Sequence, residues 1–311
     1  MAIKNMIKKV KRYFFDSNYR FLINANIFHK YDIMPDKEYL ERKYEATMGS
    51  RLELTHPKRF NEKIQWLKLY NRNPEYITMV DKYKVKDYVA EIIGDEYIIP
   101  TLGVWDNPDE IDFDVLPNQF VLKCNHNSGL GMYICRDKAK MDIRKVKRNL
   151  RKGLRQDYYL TGREWPYKDV KRKIIAEKYI SNGEEGLTDY KVHNFNGEPQ
   201  FILVCKDRFK SSGLTEDFFS TTWEHLEVKR PKNRYSSETI AQPNELKEIL
   251  ELSAKLSKKI PFLRTDFYIV NHKVYFSELT FFPASGFESY ESDEWDYTFG
   301  DYLTLPIEKT I

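Results

Sequence analysis

Cysteine is scarce, with Cys124, Cys135 and Cys205 the only three in 311 residues. They are odd in number, far apart and in no CxxC pair, which excludes a disulfide framework and a cysteine zinc site and fits a reducing compartment. An excess of one charge is missing too. Lys plus Arg number 51 and Asp plus Glu 47, and a net charge of +4 gives no case for a nucleic-acid partner. No apolar run reaches the roughly 18 residues of a membrane span, and residues 1 to 15 lack the apolar core of a signal peptide, so a cytoplasmic protein is expected. There is no GxxxxGK[ST] loop, no Rossmann glycine fingerprint, no DxD pair beside a strand, and no repeat or low-complexity segment. What remains is 41% apolar and 15% aromatic residues, enough for the core of one large or two ordinary domains.

Residues 261 to 286, PFLRTDFYIVNHKVYFSELTFFPASG, set two carboxylates into otherwise apolar strand sequence. TDFYIV and VYFSELTF are β-branched and aromatic, and Asn271-His272-Lys273 between them predicts a hairpin with a three-residue loop. That register pairs Asp266 with Glu278 on one face, whereas a two-residue loop places them on opposite faces. Two ionised carboxylates about 4 Å apart repel by roughly 4 kcal/mol at an effective dielectric near 20. The pair therefore calls for a cation, and a hard divalent ion held with substrate phosphates suits it. Without a metal, amide replacement of either residue is expected to leave stability unchanged or slightly higher. The alternative is an edge hairpin whose carboxylates point to water and pair with Lys273 or Arg264.

Upstream, residues 1 to 15 space Ile3, Met6, Ile7, Val10 and Phe14 as one helical face among lysines. Such a basic amphipathic helix either lies on an anionic membrane or docks on the protein's own body. Helices are predicted over 36 to 50, 60 to 72 (with Asn61 as cap), 80 to 94, 141 to 156 and 244 to 260. Strands are predicted at 97 to 104, 119 to 123 and 173 to 180, with a hairpin turning at Asn196-Gly197. Residues 209 to 233 read as a mobile loop. In 119 to 136 a strand ends in Lys123 and passes through a turn containing His126, Ser128, Gly129 and Gly131 into another strand. Such a turn frees backbone N–H groups to face an anion, and an ordinary hairpin loop is the other reading. His126 has no second ligand at metal spacing.

Taken in order, FVLK with its Gly-rich turn, AEKYI, RTDFY and FSELTFFPASG resemble the TupA-like ATP-grasp family of bacterial surface polysaccharide and teichuronopeptide biosynthesis. The likeness runs from PKRFNEKIQWLKLYN near residue 57 through DKYKVKDYV, LPNQFVLKCNHNSG and DYKVHNFNG to the C-terminal stretch. The resemblance implies an α+β fold with a nucleotide held between two lobes. It divides the chain into a helical N-terminal extension (1–75), a lobe with the phosphate turn (76–172) and a C-terminal lobe with the adenine strand and metal hairpin (173–311). It implies ATP and Mg²⁺ as cofactors. Lys123 and the turn of His126, Ser128, Gly129 and Gly131 would meet the phosphates. Glu177 with the backbone of Lys178, Tyr179 and Ile180 would face adenine, and Glu184 or Glu185 the ribose. Asp266, Glu278 and Thr280 would hold the metal, with Arg264 and Lys191 at the reacting phosphate. Thr280 stands where many such enzymes have Asn, which leaves a second metal open.

The implied activity is carboxylate-amine ligation through an acylphosphate, joining an amino acid or amine to a carboxylate-bearing glycan, with peripheral membrane contact through residues 1 to 15. Alternatives are a sugar or polysaccharide kinase, a glycosyltransferase, and a nucleotide-binding scaffold without turnover.

Overall fold

The computed structural model describes residues 2–183, 186–208, 213–231 and 233–310, with side chains from residue 6 onward. Three helices open the chain, α1 (Ala2–Phe15), α2 (Ser17–Asn26) and α3 (Asp36–Met48). Asp16 caps α2 by accepting from the Tyr19 N–H, and α3 stops at Gly49, which takes the left-handed conformation that glycine adopts cheaply. Phe21, Tyr39, Leu40 and Leu69 bury this helical layer against α4 (Phe60–Tyr70).

The predicted helix over 60 to 72 is thus present, but its cap is not Asn61. Asn61 lies inside α4, wholly buried, with its backbone and side chain both donating to Asp296. Glu62 satisfies the helix start instead, its carboxylate accepting from the Lys58 and Arg59 N–H groups.

The expected helix over 80 to 94 is α6 (Val85–Ile93), preceded by a separate short helix, α5 (Glu75–Val80). Asp81 separates them, its carboxylate accepting from the Tyr83 N–H and from Asn125 Nδ2 far along the chain. Side-chain competition for backbone donors ends helices in this way.

Two antiparallel sheets follow. The smaller has the order β1-β4-β2-β3, from β1 (Thr101–Trp105), β2 (Phe120–Cys124), β3 (Tyr133–Cys135) and β4 (Ile174–Lys178). Phe120, Leu122 and Ala176 bury one face against Val146 and Leu150 of α7 (Ile143–Arg155), while Val121, Lys123 and Glu177 occupy the other. The strand at 174–178, grouped with the C-terminal lobe by sequence, pairs with β1 and β2 and belongs to this smaller sheet.

The larger sheet has the order β10-β9-β5-β6-β7-β8. Its strands are β5 (Asp189–Phe195), β6 (Glu198–Lys206), β7 (Thr215–Ser220), β8 (His225–Leu226), β9 (Phe262–Val270) and β10 (Lys273–Thr280). Helix α8 (Tyr158–Gly162) precedes β4, α9 (Leu246–Ser257) packs on β5, β6 and β9, and α10 (Glu294–Tyr302) packs on α4. Phe195, Phe201, Phe262 and Phe299 interlock at its centre. Full burial of each such ring contributes roughly 2–3 kcal/mol.

The stretch 209 to 233, expected as a mobile loop, contains β7 and β8. Its polarity misled, because Glu216 and Asp217 are buried yet partnered, Glu216 by Arg230 and Asp217 by the Ser236 N–H.

Candidate functional site

The charge-bearing faces of the two sheets come together where Lys82 bonds the Asn127 carbonyl and stands 3.8 Å from Glu278, and this junction is the candidate cleft. On the larger sheet, β9 and β10 are joined by Asn271 and His272 alone, both at positive φ, with Val270 opposite Lys273. This two-residue loop differs from the three-residue loop expected from the sequence, and by itself it would separate the carboxylates. A β-bulge at Ser277 restores them, since beyond it Glu278 lies opposite Asp266, Leu279 opposite Thr265 and Thr280 opposite Arg264. The extra residue re-aims the side chains that follow it.

Asp266 is fully buried, and its charge is balanced on all sides. Arg264 Nε donates to Oδ1 at 2.7 Å and Nη2 to Oδ2 at 2.8 Å, while Lys191 on β5, directly across the ladder, donates to Oδ2 as well. Arg264 Nη2 also donates to Glu278 Oε1 at 3.0 Å. The repulsion inferred from sequence is therefore absorbed by two cations of the chain itself. Burial opposes the charges of Lys191 and Arg264, but Asp266 outweighs it and holds both protonated forms above their ordinary range.

Across the cleft, Glu177 is buried and holds two lysines, Lys123 at 2.6 Å and Lys86 at 2.7 Å. Burial alone would raise its carboxyl; Lys123 and Lys86 reverse that and lower it. Lys82, placed just before α6, donates to the Asn127 carbonyl at 2.8 Å and stands 3.8 Å from Glu278 Oε2, tying the two sheets together. Burial lowers the pKa of Lys82 and Lys86. Five cations (Lys82, Lys86, Lys123, Lys191, Arg264) thus face four carboxylates (Glu177, Asp189, Asp266, Glu278), leaving one positive charge in excess. Sequence reading missed Lys82 and Lys86. Lys82 lies in the turn before α6 and Lys86 in its first turn, both within DKYKVKDYV.

The Gly-rich turn is held by its buried polar residues. Asn125 and Asn127 bond the backbone of Lys171 and Gly153, and His126 Nε2 meets the Gln156 carbonyl at 3.0 Å. Burial pushes His126 down to about 4, so the ring is neutral. Ser128 and Gly129 are exposed at the tip, with open space around Gly129. Gly131 is different: at φ +77° a Cβ would come 2.7 Å from Cys124 Sγ and 3.0 Å from Gly153 Cα, so its missing side chain serves packing on α7.

At the end of β4 the Lys178 N–H donates to the Pro100 carbonyl, and Tyr179 and Ile180 follow half-buried outside regular structure. Glu184 and Glu185 lie outside the described residues. Beside Arg264 and Glu278, Tyr158 and Tyr167 meet edge to face at 4.8 Å. Glu164 accepts from Ser285 Oγ, and Lys68 donates to the Ser285 carbonyl at 2.7 Å. These contacts hold Ala284 and Ser285 at positive φ, a costly conformation for residues with side chains. Tyr158, Glu164 and Tyr167 lie outside every stretch that carried the resemblance, whereas Lys68 and Ser285 lie inside PKRFNEKIQWLKLYN and FSELTFFPASG.

A divalent metal needs hard oxygen donors, and Asp266, Glu278 and Thr280 offer them, with Thr280 Oγ1 3.5 Å from Glu278 Oε1. No cluster of three or more His, Cys, Asp or Glu side chains at metal spacing exists among the described residues. Both Asp266 oxygens already accept from Arg264 and Lys191, so a metal there would have to displace one of these cations, whereas the Glu278 side chain is about one third exposed, with Oε2 3.8 Å from Lys82.

Among curated proteins, none matches the chain by sequence. Solved structures show weak similarity. D-alanine–D-alanine ligase from Bacillus anthracis, complexed with ATP, is 18% identical over 65% of this chain and 55% of its own, with a TM-score of 0.40. The Helicobacter pylori D-Ala-D-Ala ligase is 15% identical over 79% and 70%, with a TM-score of 0.43. N5-carboxyaminoimidazole synthase from Aspergillus clavatus, with ADP and 5-aminoimidazole ribonucleotide, is 12% identical over 66% and 44%, at 0.37. The chain thus spans about half the length of the Bacillus anthracis ligase. The family model for TupA-like ATP-grasp proteins matches residues 62–304, from α4 to just past α10, and so takes in both sheets and every charged residue of the cleft. The chain belongs to the TupA-like ATP-grasp family.

Proposed function

We propose that the protein is an ATP-dependent carboxylate-amine ligase that activates a carboxylate as an acylphosphate and joins it to an amine. The observation that carries this reading is the pairing of Asp266 with Glu278 around Arg264, set against the lysines of the opposite sheet. Lys123 binds the phosphates under the tip of Ser128 and Gly129, and the edge formed by Glu177, Tyr179 and Ile180 receives the adenine. Ribose is left to Glu184 or Glu185. Asp266, Glu278 and Thr280 would hold Mg²⁺, which when bound neutralises charge on the transferring phosphate. Arg264 and Lys191, fixed as cations by Asp266, stabilise the negative charge that builds on the phosphate and then on the acyl oxygen. Their positions are set before reaction, which is where such stabilisation is most effective.

The family resemblance supports a surface-polysaccharide substrate, with an amino acid or other amine joined to a uronic acid unit on the cytoplasmic side, where ATP is supplied. The test is ADP and phosphate release by the purified protein with ATP and Mg²⁺ across amino acids and uronic-acid acceptors, with mass spectrometry of the product. Ligation yields ADP and free phosphate in equal amounts, with a condensed product. ADP without free phosphate, together with a phosphorylated sugar, would instead identify a kinase.

A further inference from the structure

We propose that α1 seats the protein on an anionic lipid surface, independently of the nucleotide cleft. At about 100° per residue, the sequence of α1 gathers Ile3, Met6, Ile7, Val10, Tyr13 and Phe14 into an arc of roughly 120°. Lys4, Lys8, Lys9, Lys11 and Arg12 fill the remainder, and residues 1 to 15 contain no Asp or Glu.

Among the described side chains of that arc, all but the half-buried Tyr13 are exposed. Met6 is 61% exposed, Ile7 50%, Val10 51% and Phe14 65%, and the neighbouring Phe15 is 89% exposed. What fixes the helix is its C-terminal end. Tyr13 Oη donates to Asn24 Oδ1 at 2.9 Å, and Arg20 donates to the Tyr13 and Phe14 carbonyls at 3.2 and 2.8 Å. The helix is therefore held on α2 by polar contacts at its C-terminal end, with Met6, Ile7, Val10 and Phe14 left exposed. It also lies outside the residues shared with the family, 62–304.

Charge decides the occupant. A second copy of α1 would set five cations against five with no carboxylate on either helix, whereas anionic headgroups neutralise them. Fourteen residues extend about 21 Å, too short for a hydrocarbon core near 30 Å, so the helix lies in the plane of the interface with its apolar arc among the acyl chains. Each cation near such a surface strengthens binding about fivefold.

The test is cosedimentation of the full chain with vesicles of phosphatidylcholine mixed two to one with phosphatidylglycerol, at low salt. Binding is expected, weakened by salt and at least tenfold weaker on pure phosphatidylcholine. The double substitution Val10→Glu, Phe14→Glu is expected to lower it at least tenfold, while the thermal shift with ATP and Mg²⁺ stays as in the unsubstituted chain. Protein remaining in the supernatant at low salt, or unchanged binding by the double variant, overturns the proposal. So does a dimer, seen by sedimentation equilibrium, that the same substitutions dissolve without any vesicle binding.

Discussion

Asp266 stands opposite Glu278 across β9 and β10 because Ser277 is an extra residue in the ladder, and the two carboxylates share Arg264 as a common cation. Their surroundings are unequal. Asp266 is sealed between Arg264 and Lys191, while the Glu278 side chain keeps 34% of its surface in solvent.

That inequality separates stability from function. Asp266→Asn removes the nearest counter-charge of two buried cations, leaving Arg264 only Glu278 at 3.0 Å and Lys191 only Asp189 at 3.8 Å, and is expected to cost about 3–5 kcal/mol in denaturant unfolding. This reverses the expectation, drawn from repulsion alone, that an amide at 266 is harmless. Glu278→Gln, partly solvated, is expected to cost under about 1 kcal/mol. Equal losses for the two variants would contradict the charge balance described.

Lys123 bears on nucleotide affinity. Removing one charge-assisted contact of about 1.5–3 kcal/mol, as in Lys123→Met, should weaken ATP binding roughly 10- to 150-fold by titration calorimetry. Unchanged affinity would remove Lys123 from the phosphate site.

Glu177 gives a pH signature. Its folded carboxyl titrates below its ordinary 4.5, so the stability it contributes is present above that value and is lost as pH falls through the lower folded one. Glu177→Gln should therefore be less stable than the native chain by about 3 kcal/mol near neutrality, because Lys86 and Lys123 lose their shared counter-charge. The gap should narrow on acidification below 4.5. A gap independent of pH would mean that the ion pairs contribute nothing.

The two glycines of the turn between β2 and β3, Gly129 and Gly131, should respond differently. Gly131→Ala forces a Cβ against Cys124 and Gly153 and should cost several kcal/mol, as overpacking adds to the cost of positive φ. Gly129→Ala meets open space and should cost only the backbone term, about 1–2 kcal/mol. Thermal unfolding of both variants distinguishes them.

Local signals carried much of this structure. Asn196-Gly197 marks its hairpin because both residues take positive φ, and α9 follows its apolar spacing. The carboxylate pair was legible as a pair, but the route to it was not, since a bulge leaves no mark in a pattern of alternating residues. Long-range partners hid the rest. Asp81 ends α5 with help from Asn125, and β7 buries Glu216 and Asp217 because Arg230 and Ser236 reach them from further along the chain. Lys82 and Lys86 looked like the solvated side of an amphipathic helix, and only β4 folding across from them supplies Glu177.

Thermal unfolding with nucleotide tests the central claim, that the cleft between the two sheets binds ATP with Mg²⁺ through the hairpin carboxylates. At a hundredfold excess over Kd, a ligand that binds only the folded chain adds about 2.7 kcal/mol. ATP with Mg²⁺ is predicted to raise the Tm of the native chain, Glu278→Gln to lose the Mg²⁺-dependent part of that rise, and UDP-sugars to have no effect. A rise with UDP-sugars and none with ATP, or a full Mg²⁺-dependent rise in Glu278→Gln, would contradict it.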